Sequence, residues 1–292
     1  MTPKAVGVVG LGIMGSAMSA NLVRAGFRTF GFDPLPAQRQ ALKRAGGVAC
    51  KSVAEVSHQA PIVITSLPSA KALQDVCAQA AGKAIFIETS TLPIDDKLQA
   101  RVALKRKGIT LLDCPLSGTG AQARNKDLSI YASGDKAAYR SCIPVFEGFG
   151  RSHYYLGDFG NGSRMKYVAN LLVAIHNVAA AEAFVLGMKA GLPAELIYKV
   201  IADGAGSSRM FQVRGPQMVA GKYPAQIKVD VWQKDMKIIG EFATRLGVAA
   251  PLFSATAPIY NAAVAQGFGE QDTAAVCAVL EKLSNVKRGS HG

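Results

Sequence analysis

Over the first 160 or so residues, short runs of β-branched and aromatic residues alternate with stretches rich in Ala, Leu, Lys and Gln. The runs at 5–9, 28–32, 62–67, 84–88, 109–113, 128–132 and 153–156 have the length and composition of buried strands. The stretches between them have the composition of helices. Strands alternating with helices predict an α/β domain whose parallel sheet is joined by crossover helices.

After Gly162 the strand pattern stops. Residues 164–190 form one long stretch rich in Ala, Val and Leu, closed by Gly191 with Pro193 just beyond, as at a helix end. Further helices are predicted over 194–202, 231–246, 252–266 and 273–283, with Gly and Pro as punctuation. The expected architecture is an α/β domain over residues 1–161 and an all-α domain over 162–292, joined by the long helix.

Composition removes several function classes. A chain of 292 residues with 49% hydrophobic and 18% charged content can bury one large core or two ordinary ones, which excludes overall disorder. Its five cysteines lie far apart with no CxxC pair, against a disulfide framework and for a reducing compartment, so a cytoplasmic location is expected. No secretory leader is recognised, and no uninterrupted apolar run reaches the roughly 18 residues of a membrane span. The four histidines show no ligand spacing, so no metal is expected. The net charge of +13 asks for an anion but is spread over both halves. Its densest run, Lys105-Arg106-Lys107, has the look of a solvated helix end, so nucleic acid is not the expected partner.

A glycine turn makes the first domain Rossmann-type. Gly10, Leu11, Gly12, Ile13, Met14 and Gly15 form a GxGxxG that follows the first strand and opens a helix. Gly10 permits the tight turn, Gly12 lets the backbone approach a pyrophosphate, and Gly15 lets helix pack close on strand. The helix N-terminus then offers N–H groups to the phosphates. Asp33 ends the second strand 18 positions after Gly15, where a carboxylate accepts from ribose hydroxyls and repels a 2′-phosphate. NAD is the expected cofactor, and the nearby Arg39 keeps NADP possible.

Three later clusters carry candidate chemistry. Residues 113–120 place small side chains and the hydroxyls of Ser117 and Thr119 at a strand end, which suits either a carboxylate-binding loop or a plain turn. Lys166 and Asn170 are one turn apart at the start of the long helix, and Asn177 is expected on the same face. A lysine in an apolar helix is partly desolvated, which moves its pKa toward the range of proton transfer, although by spacing alone a surface lysine fits as well. Lys234-Asp235, taken alone, reads as a solvated helix face.

Together these residues make the chain similar to the β-hydroxyacid dehydrogenase family, relatives of 6-phosphogluconate dehydrogenase. The resemblance spans nearly the whole chain and rests on four motifs in the family's order: GLGIMGSAMSANL at 10–22, D-x-P-x-S-G at 113–118, G-x-x-x-K-x-x-x-N at 162–170 and the Lys-Asp pair at 234–235. It implies hydride transfer between NAD(P) and a small 3-hydroxy acid or its semialdehyde, such as 3-hydroxyisobutyrate, glycerate with tartronate semialdehyde, or threonate. Lys166 then matches the general acid/base, Asn170 a substrate-positioning residue, and Ser117 and Gly118 the carboxylate holders. Lys234 matches a lysine that reaches the cofactor, and Leu67, Pro68 and Thr91 match positions that line it. Thr119 departs from a common family glycine and adds a donor beside the substrate. Lys126 and Asp127 also stand where a glycine often occurs, so that loop is expected to differ in shape. Arg209 is the candidate for a second polar end of the substrate. An imine reductase and a catalytically inactive nucleotide-binding protein are the alternatives, and Lys166 argues against both. The long apolar helix needs covering, so a homodimer or homotetramer is expected.

Overall fold

In the computed structural model, which describes residues 5–288, five of the apolar runs enter one six-stranded parallel sheet. β1 (Ala5–Val9) is central, with β2 (Arg28–Phe32) and β3 (Val48–Ala49) on one side. On the other side lie β4 (Ile62–Thr65), β5 (Ile85–Glu88) and β6 (Thr110–Asp113), giving the order β3-β2-β1-β4-β5-β6. Strand order reverses between β1 and β4, and open α/β sheets bind ligands beyond the carboxyl ends of the strands at such a point.

The crossover helices are α1 (Ile13–Arg24), α2 (Pro36–Arg44), α3 (Val53–Gln59), α4 (Ala70–Gln79) and α5 (Ile94–Arg106). Because successive strand residues point to opposite faces, the sheet has two cores. Val6, Val8, Ile62, Ile64, Ile87 and Leu112 pack in one with Met18 and Leu22 of α1. Val63, Phe86 and Leu111 pack in the other with Val56 of α3 and Leu104 of α5. Each such side chain contributes roughly 1.5–3 kcal/mol when fully buried, which is why these strands read as continuous apolar runs.

The runs at 128–132 and 153–156 do not join this sheet, a correction to the single-sheet expectation. β7 (Leu116–Ser117), β8 (Ser129–Ala132) and β9 (Ser152–Tyr155) form a separate three-stranded sheet, with β7 antiparallel and β9 parallel to β8. Pro115, which has no N–H for a ladder, marks the break after β6, and Asp113 bridges to Ser133 at the junction. The short α6 (Gly120–Arg124) joins β7 to β8, and α7 (Lys136–Phe149) joins β8 to β9.

The chain divides into two compact units, Met1–Lys166 and Tyr167–Gly292. α8 (Asn161–Lys189) begins in the first and continues into the second. By length and composition it could cross a membrane, which corrects the expectation that no segment qualifies. The uninterrupted-run criterion passed over it because Asn170, His176 and Asn177 break the apolar run. Asn177 is buried and donates to Tyr260 Oη (3.0 Å) and Thr273 O (2.9 Å), so it is a core residue of the helical unit.

The second unit continues with α9 (Ala194–Ala202), α10 (Arg209–Ala220), α11 (Val229–Arg245), α12 (Pro251–Ala265), a 3-10 turn Thr273–Ala275 and α13 (Val276–Leu283). α10 is absent from the sequence reading because Gly215 and Pro216 punctuate it. It persists because Ser208 Oγ caps it, accepting from Phe211 N–H (3.0 Å), and because Gly215 admits the Tyr198 ring, which a Cβ would approach to 2.5 Å. Arg214 of α10 is fully buried with Nη1 2.7 Å from Asp272 Oδ1. Burial lowers the guanidinium pKa and the Asp272 charge opposes that shift.

Candidate active site

The turn after β1 has the geometry of a phosphate cradle. Gly10 has φ +88°, and a Cβ on it would stand 2.1 Å from Ser66 O. A Cβ on Gly15 would stand 1.8 Å from Gly10 O, so only glycine lets α1 close onto the turn. Gly12 is the opposite case: a Cβ there would meet nothing within 4 Å, so the backbone borders open space. The first intrahelical bond runs from Ser16 N–H to Gly12 O (2.9 Å), which leaves the amides of Ile13, Met14 and Gly15 ahead of it. These residues fit a dinucleotide pyrophosphate.

Leu11 plays a different part. Its side chain is in the core and its N–H donates to Asp33 Oδ2 (2.8 Å), while Asp33 Oδ1 accepts from Leu35 N–H (2.9 Å). The carboxylate is thereby held at the end of β2, with lone pairs left for ribose hydroxyls. Arg39 lies beside it, donating to Asp33 O (2.5 Å) and Pro34 O (3.1 Å), its guanidinium 5.8 Å from the Phe32 ring centre. Leu67 follows β4 and donates its N–H to Ser90 Oγ (2.8 Å); Pro68 is exposed next to it, and Thr91 follows β5 half-buried.

The loop after β6 abuts the glycine turn: a Cβ on Gly120 would lie 2.5 Å from Ile13 Cγ2. Ser117 ends β7 half-buried, and Gly118 has φ +140° with its Cβ direction blocked by Leu128 at 2.6 Å. Thr119 caps α6, its Oγ1 accepting from Gln122 N–H (3.4 Å) while its own N–H donates to Gln122 Oε1 (3.0 Å). Gln122 Nε2 donates in turn to Asp127 Oδ2 (3.0 Å), and Asp127 Oδ1 accepts from Arg151 Nε (2.7 Å). Lys126 adopts φ +59°, a conformation that glycine enters without strain. Burial pushes the Cys114 thiol well above its usual pKa, so this cysteine of the loop is packing material.

Behind the loop is a buried ionic network. Lys97, 1% exposed, donates from Nζ to Ser90 O (2.7 Å) and Asp113 Oδ1 (2.8 Å) and lies 2.6 Å from Glu88 Oε2. Asp113 also accepts Ser163 N–H at Oδ2 (2.7 Å) and Ser163 Oγ–H at Oδ1 (2.8 Å). Burial alone would lower the Lys97 pKa, but the carboxylates of Asp113 and Glu88 outweigh it and hold it above the usual lysine range. The stability this contributes is fully present below the ordinary lysine pKa of about 10.4 and is lost only as pH rises through the higher folded value. Lys166 comes three residues after Ser163 on α8, half-buried.

In the helical unit, Asn170 is 5% exposed and donates from Nδ2 to Asp235 Oδ2 (2.8 Å). Lys234 Nζ lies 3.8 Å from Asp235 Oδ1. The pair that spacing alone marks as a solvated face is therefore tied to Asn170. Arg209 is exposed at the first turn of α10.

Comparison with known proteins identifies the lineage. Residues 5–157 match the NAD binding domain of 6-phosphogluconate dehydrogenase, and residues 160–280 match the family described as NAD-binding of NADP-dependent 3-hydroxyisobutyrate dehydrogenase. The chain belongs to the β-hydroxyacid dehydrogenase family. It is 33% identical over 285 residues to L-threonate dehydrogenase of Cupriavidus necator, covering 94% of this chain and 95% of that one. It is 32% identical over 287 residues to glyoxylate/succinic semialdehyde reductase 1 of Arabidopsis thaliana, covering 94% and 98%. The solved 3-hydroxyisobutyrate dehydrogenase of Salmonella typhimurium superposes with a TM-score of 0.86 at 30% identity, covering 94% of this chain and 99% of that chain.

The protein is accordingly an NAD(P)-dependent oxidoreductase of the hydroxyacid dehydrogenase type. The β-hydroxyacid dehydrogenase motifs supply most of the candidate site, and Lys97 and Glu88, which sequence patterning does not mark, form the buried network behind its loop. A signal for Lys97 does exist. It stands at helical spacing between Ile94 and Ala100 on the buried stripe of α5, where a lysine is out of place unless paired.

Proposed function

We propose that this dehydrogenase oxidises a small 3-hydroxy acid, or reduces its semialdehyde, with Lys166 as the general acid/base. The observation that carries this reading is the attachment of α8 to the end of β6 through Ser163 and Asp113. It sets Lys166 one turn into a helix anchored to the strand end from which the chain runs on into the Ser117–Thr119 loop. When bound, the nicotinamide supplies the hydride chemistry. The amides of the Gly12–Met14 turn hold the pyrophosphate, with Leu67, Pro68 and Thr91 along the cofactor. Ser117 and the Gly118 backbone take the substrate carboxylate, and Thr119 keeps a hydroxyl proton to donate beside it. Lys166 Nζ accepts the hydroxyl proton in oxidation and returns a proton to the carbonyl oxygen in reduction. Asn170, held by Asp235, orients the substrate, Lys234 reaches the cofactor, and Arg209 serves a second polar end of the acid. A panel of 3-hydroxyisobutyrate, glycerate and threonate assayed for NADH appearance, with NADP in parallel, tests the reading; turnover of none of them would overturn it.

NAD is the proposed cofactor of choice because Asp33 is fixed by two backbone amides where the adenosine ribose is expected. Asp33→Asn must turn its NH2 group against one of those N–H donors, so affinity for both cofactors should fall. The NAD/NADP ratio of kcat/KM should narrow by about tenfold or more, since a hydrogen bond to a charged group is worth roughly 1.5–3 kcal/mol. An unchanged ratio would place the discrimination elsewhere.

A cytoplasmic location is supported by five buried cysteines that the fold does not bring together into disulfides. A homodimer or homotetramer is supported by an exposed apolar seam on α8, comprising Met165, Val168, Leu172 and Leu186, with Leu196 and Val200 exposed on α9. A second copy of the chain is the proposed cover, and a monomeric mass by light scattering would remove it. Neither nucleic acid nor a membrane has a role in this reading.

A further inference from the structure

The buried network around Lys97 lies outside the catalytic roles assigned above, yet it touches each part of the first unit that must be aligned. Lys97 Nζ holds the Ser90 carbonyl, one residue before the cofactor-lining Thr91, and Ser90 Oγ holds the N–H of the cofactor-lining Leu67. On its other side Lys97 is paired with Asp113, whose two carboxylate oxygens grip both the N–H and the hydroxyl of Ser163 in the first turn of α8. Ser133 closes the group: its Oγ accepts from Gly162 N–H (2.9 Å) and reaches Asp113 Oδ2 at 3.3 Å. A Cβ on Gly162 would come within 2.3 Å of Tyr131 O and 2.6 Å of Asp113 O, so the first turn of α8 is pressed directly onto the strand ends.

Stability alone does not explain such a device. The cost of burying three ionised groups offsets much of their mutual attraction, and apolar side chains of similar size would serve a core as well. What the network provides is defined direction. Ser163 is held at two atoms, and Lys166 follows at a rise of about 1.5 Å per residue, so the orientation of this turn fixes where the Lys166 side chain starts.

We propose that Asp113 is a positioning residue for proton transfer: with Lys97 as its buried counter-ion, it fixes the first turn of α8, and so Lys166, relative to the strand ends that line the cofactor. The proposal rests on the reading of Lys166 as the acid/base. It needs no contact of Asp113 with substrate or cofactor. Misplacement by as little as 1 Å far from the reacting atoms can cost about 100-fold in rate, which gives the scale of the effect.

Two variants of the full-length enzyme test it. Asp113→Asn must present its NH2 group either to the Lys97 ammonium or to the Ser163 N–H, so either the counter-ion pairing or the backbone hold on α8 is lost. Ser163→Ala removes one hydrogen bond from the same grip and leaves Lys97, Ser90 and Leu67 untouched, so it remains informative if Asp113→Asn fails to fold. For Ser163→Ala, kcat should fall about tenfold, within the same positional scale, while the Kd for NADH by fluorescence titration stays unchanged. The primary deuterium isotope effect on kcat, measured with nicotinamide-deuterated cofactor, should rise as chemistry becomes limiting. Ser163→Thr, which keeps the hydroxyl, should restore both kcat and the isotope effect. A smaller amount of correctly folded enzyme would lower kcat without moving the isotope effect, and that pattern overturns the proposal. So does a folded Ser163→Ala enzyme with normal kcat and an unchanged isotope effect. If Lys166→Ala itself retains normal turnover, the acid/base reading fails, and a raised isotope effect in Ser163→Ala would then have to be read without it.

Discussion

Lys166→Ala should lower kcat by about 10²–10⁴-fold, the usual contribution of a general acid/base, and should leave NADH affinity unchanged. The separation follows from where Lys166 stands. It is on α8, whereas the proposed phosphate cradle is the Gly10–Gly15 turn after β1 and the carboxylate proposed for the ribose is Asp33 after β2. Lys166→Arg retains a positive charge in a side chain that does not release its proton at working pH, so it should be nearly as slow as the alanine variant. Single-turnover measurements at saturating cofactor, paired with fluorescence titration of NADH, distinguish loss of chemistry from loss of binding. Near-normal turnover in Lys166→Ala would end the acid/base assignment.

The second large effect concerns the helical unit and has an unequal pair of outcomes. Asp272→Ala strips the buried Arg214 of its counter-charge and also orphans the N–H groups of Gln226, Ile227 and Ala274, which Asp272 accepts at 2.9–3.0 Å. Breaking a buried ion pair from one side costs about 3–5 kcal/mol, a large share of the roughly 5–15 kcal/mol that keeps a domain folded. Arg214→Met should be far milder, because Asp272 keeps its three backbone donors and a methionine fills much of the vacated space. Thermal unfolding of both variants checks this. Equal losses of Tm would show that the pair acts through charge alone and that the three amides find other partners.

Much of the first half was legible in the sequence because burial on both faces makes parallel strands into apolar runs, and five of them emerged in the main sheet. The runs at 128–132 and 153–156 look the same in composition but pair with each other, and the first of them also with Leu116–Ser117, in a separate sheet. Composition reports burial, whereas partner choice is set by Pro115 and by the Asp113–Ser133 bridge. Val48–Ala49 and Leu116–Ser117 are two residues each, too short to show a period. α10 hides behind Gly215 and Pro216, the glycine being required by the Tyr198 ring packed against it.

The candidate site divides along the same line. Gly10 and Gly15 were readable because each position has a backbone requirement that no other residue meets, a positive φ and a close approach at the first and a close approach at the second, whereas no atom of the described chain crowds a Cβ at Gly12. For Asn177, helical periodicity gives the face of the helix but not Tyr260 and Thr273, far along the chain, to which it is bound. Lys97 went unread for the same reason: its meaning lies in Asp113 and Glu88, partners that only the folded chain supplies, and Lys234 was marked by the family resemblance alone, since the tie of Asp235 to Asn170 is not visible in spacing.

The hydrogen-bonded run from Thr119 through Gln122 and Asp127 to Arg151 bears on how this enzyme's substrate range can be altered. Thr119 joins this relay through backbone groups, its own N–H donating to Gln122 Oε1 and its Oγ1 accepting from Gln122 N–H, so a library that randomises Thr119 alone removes the cap of α6 in most members and leaves the links among Gln122, Asp127 and Arg151 in place. Covarying Thr119 with Gln122, while Asp127 and Arg151 are left in place, changes the surface offered to the substrate and keeps the far end of the relay anchored. Arg151 is thus a useful handle for engineering even though it is assigned no contact with any reacting atom.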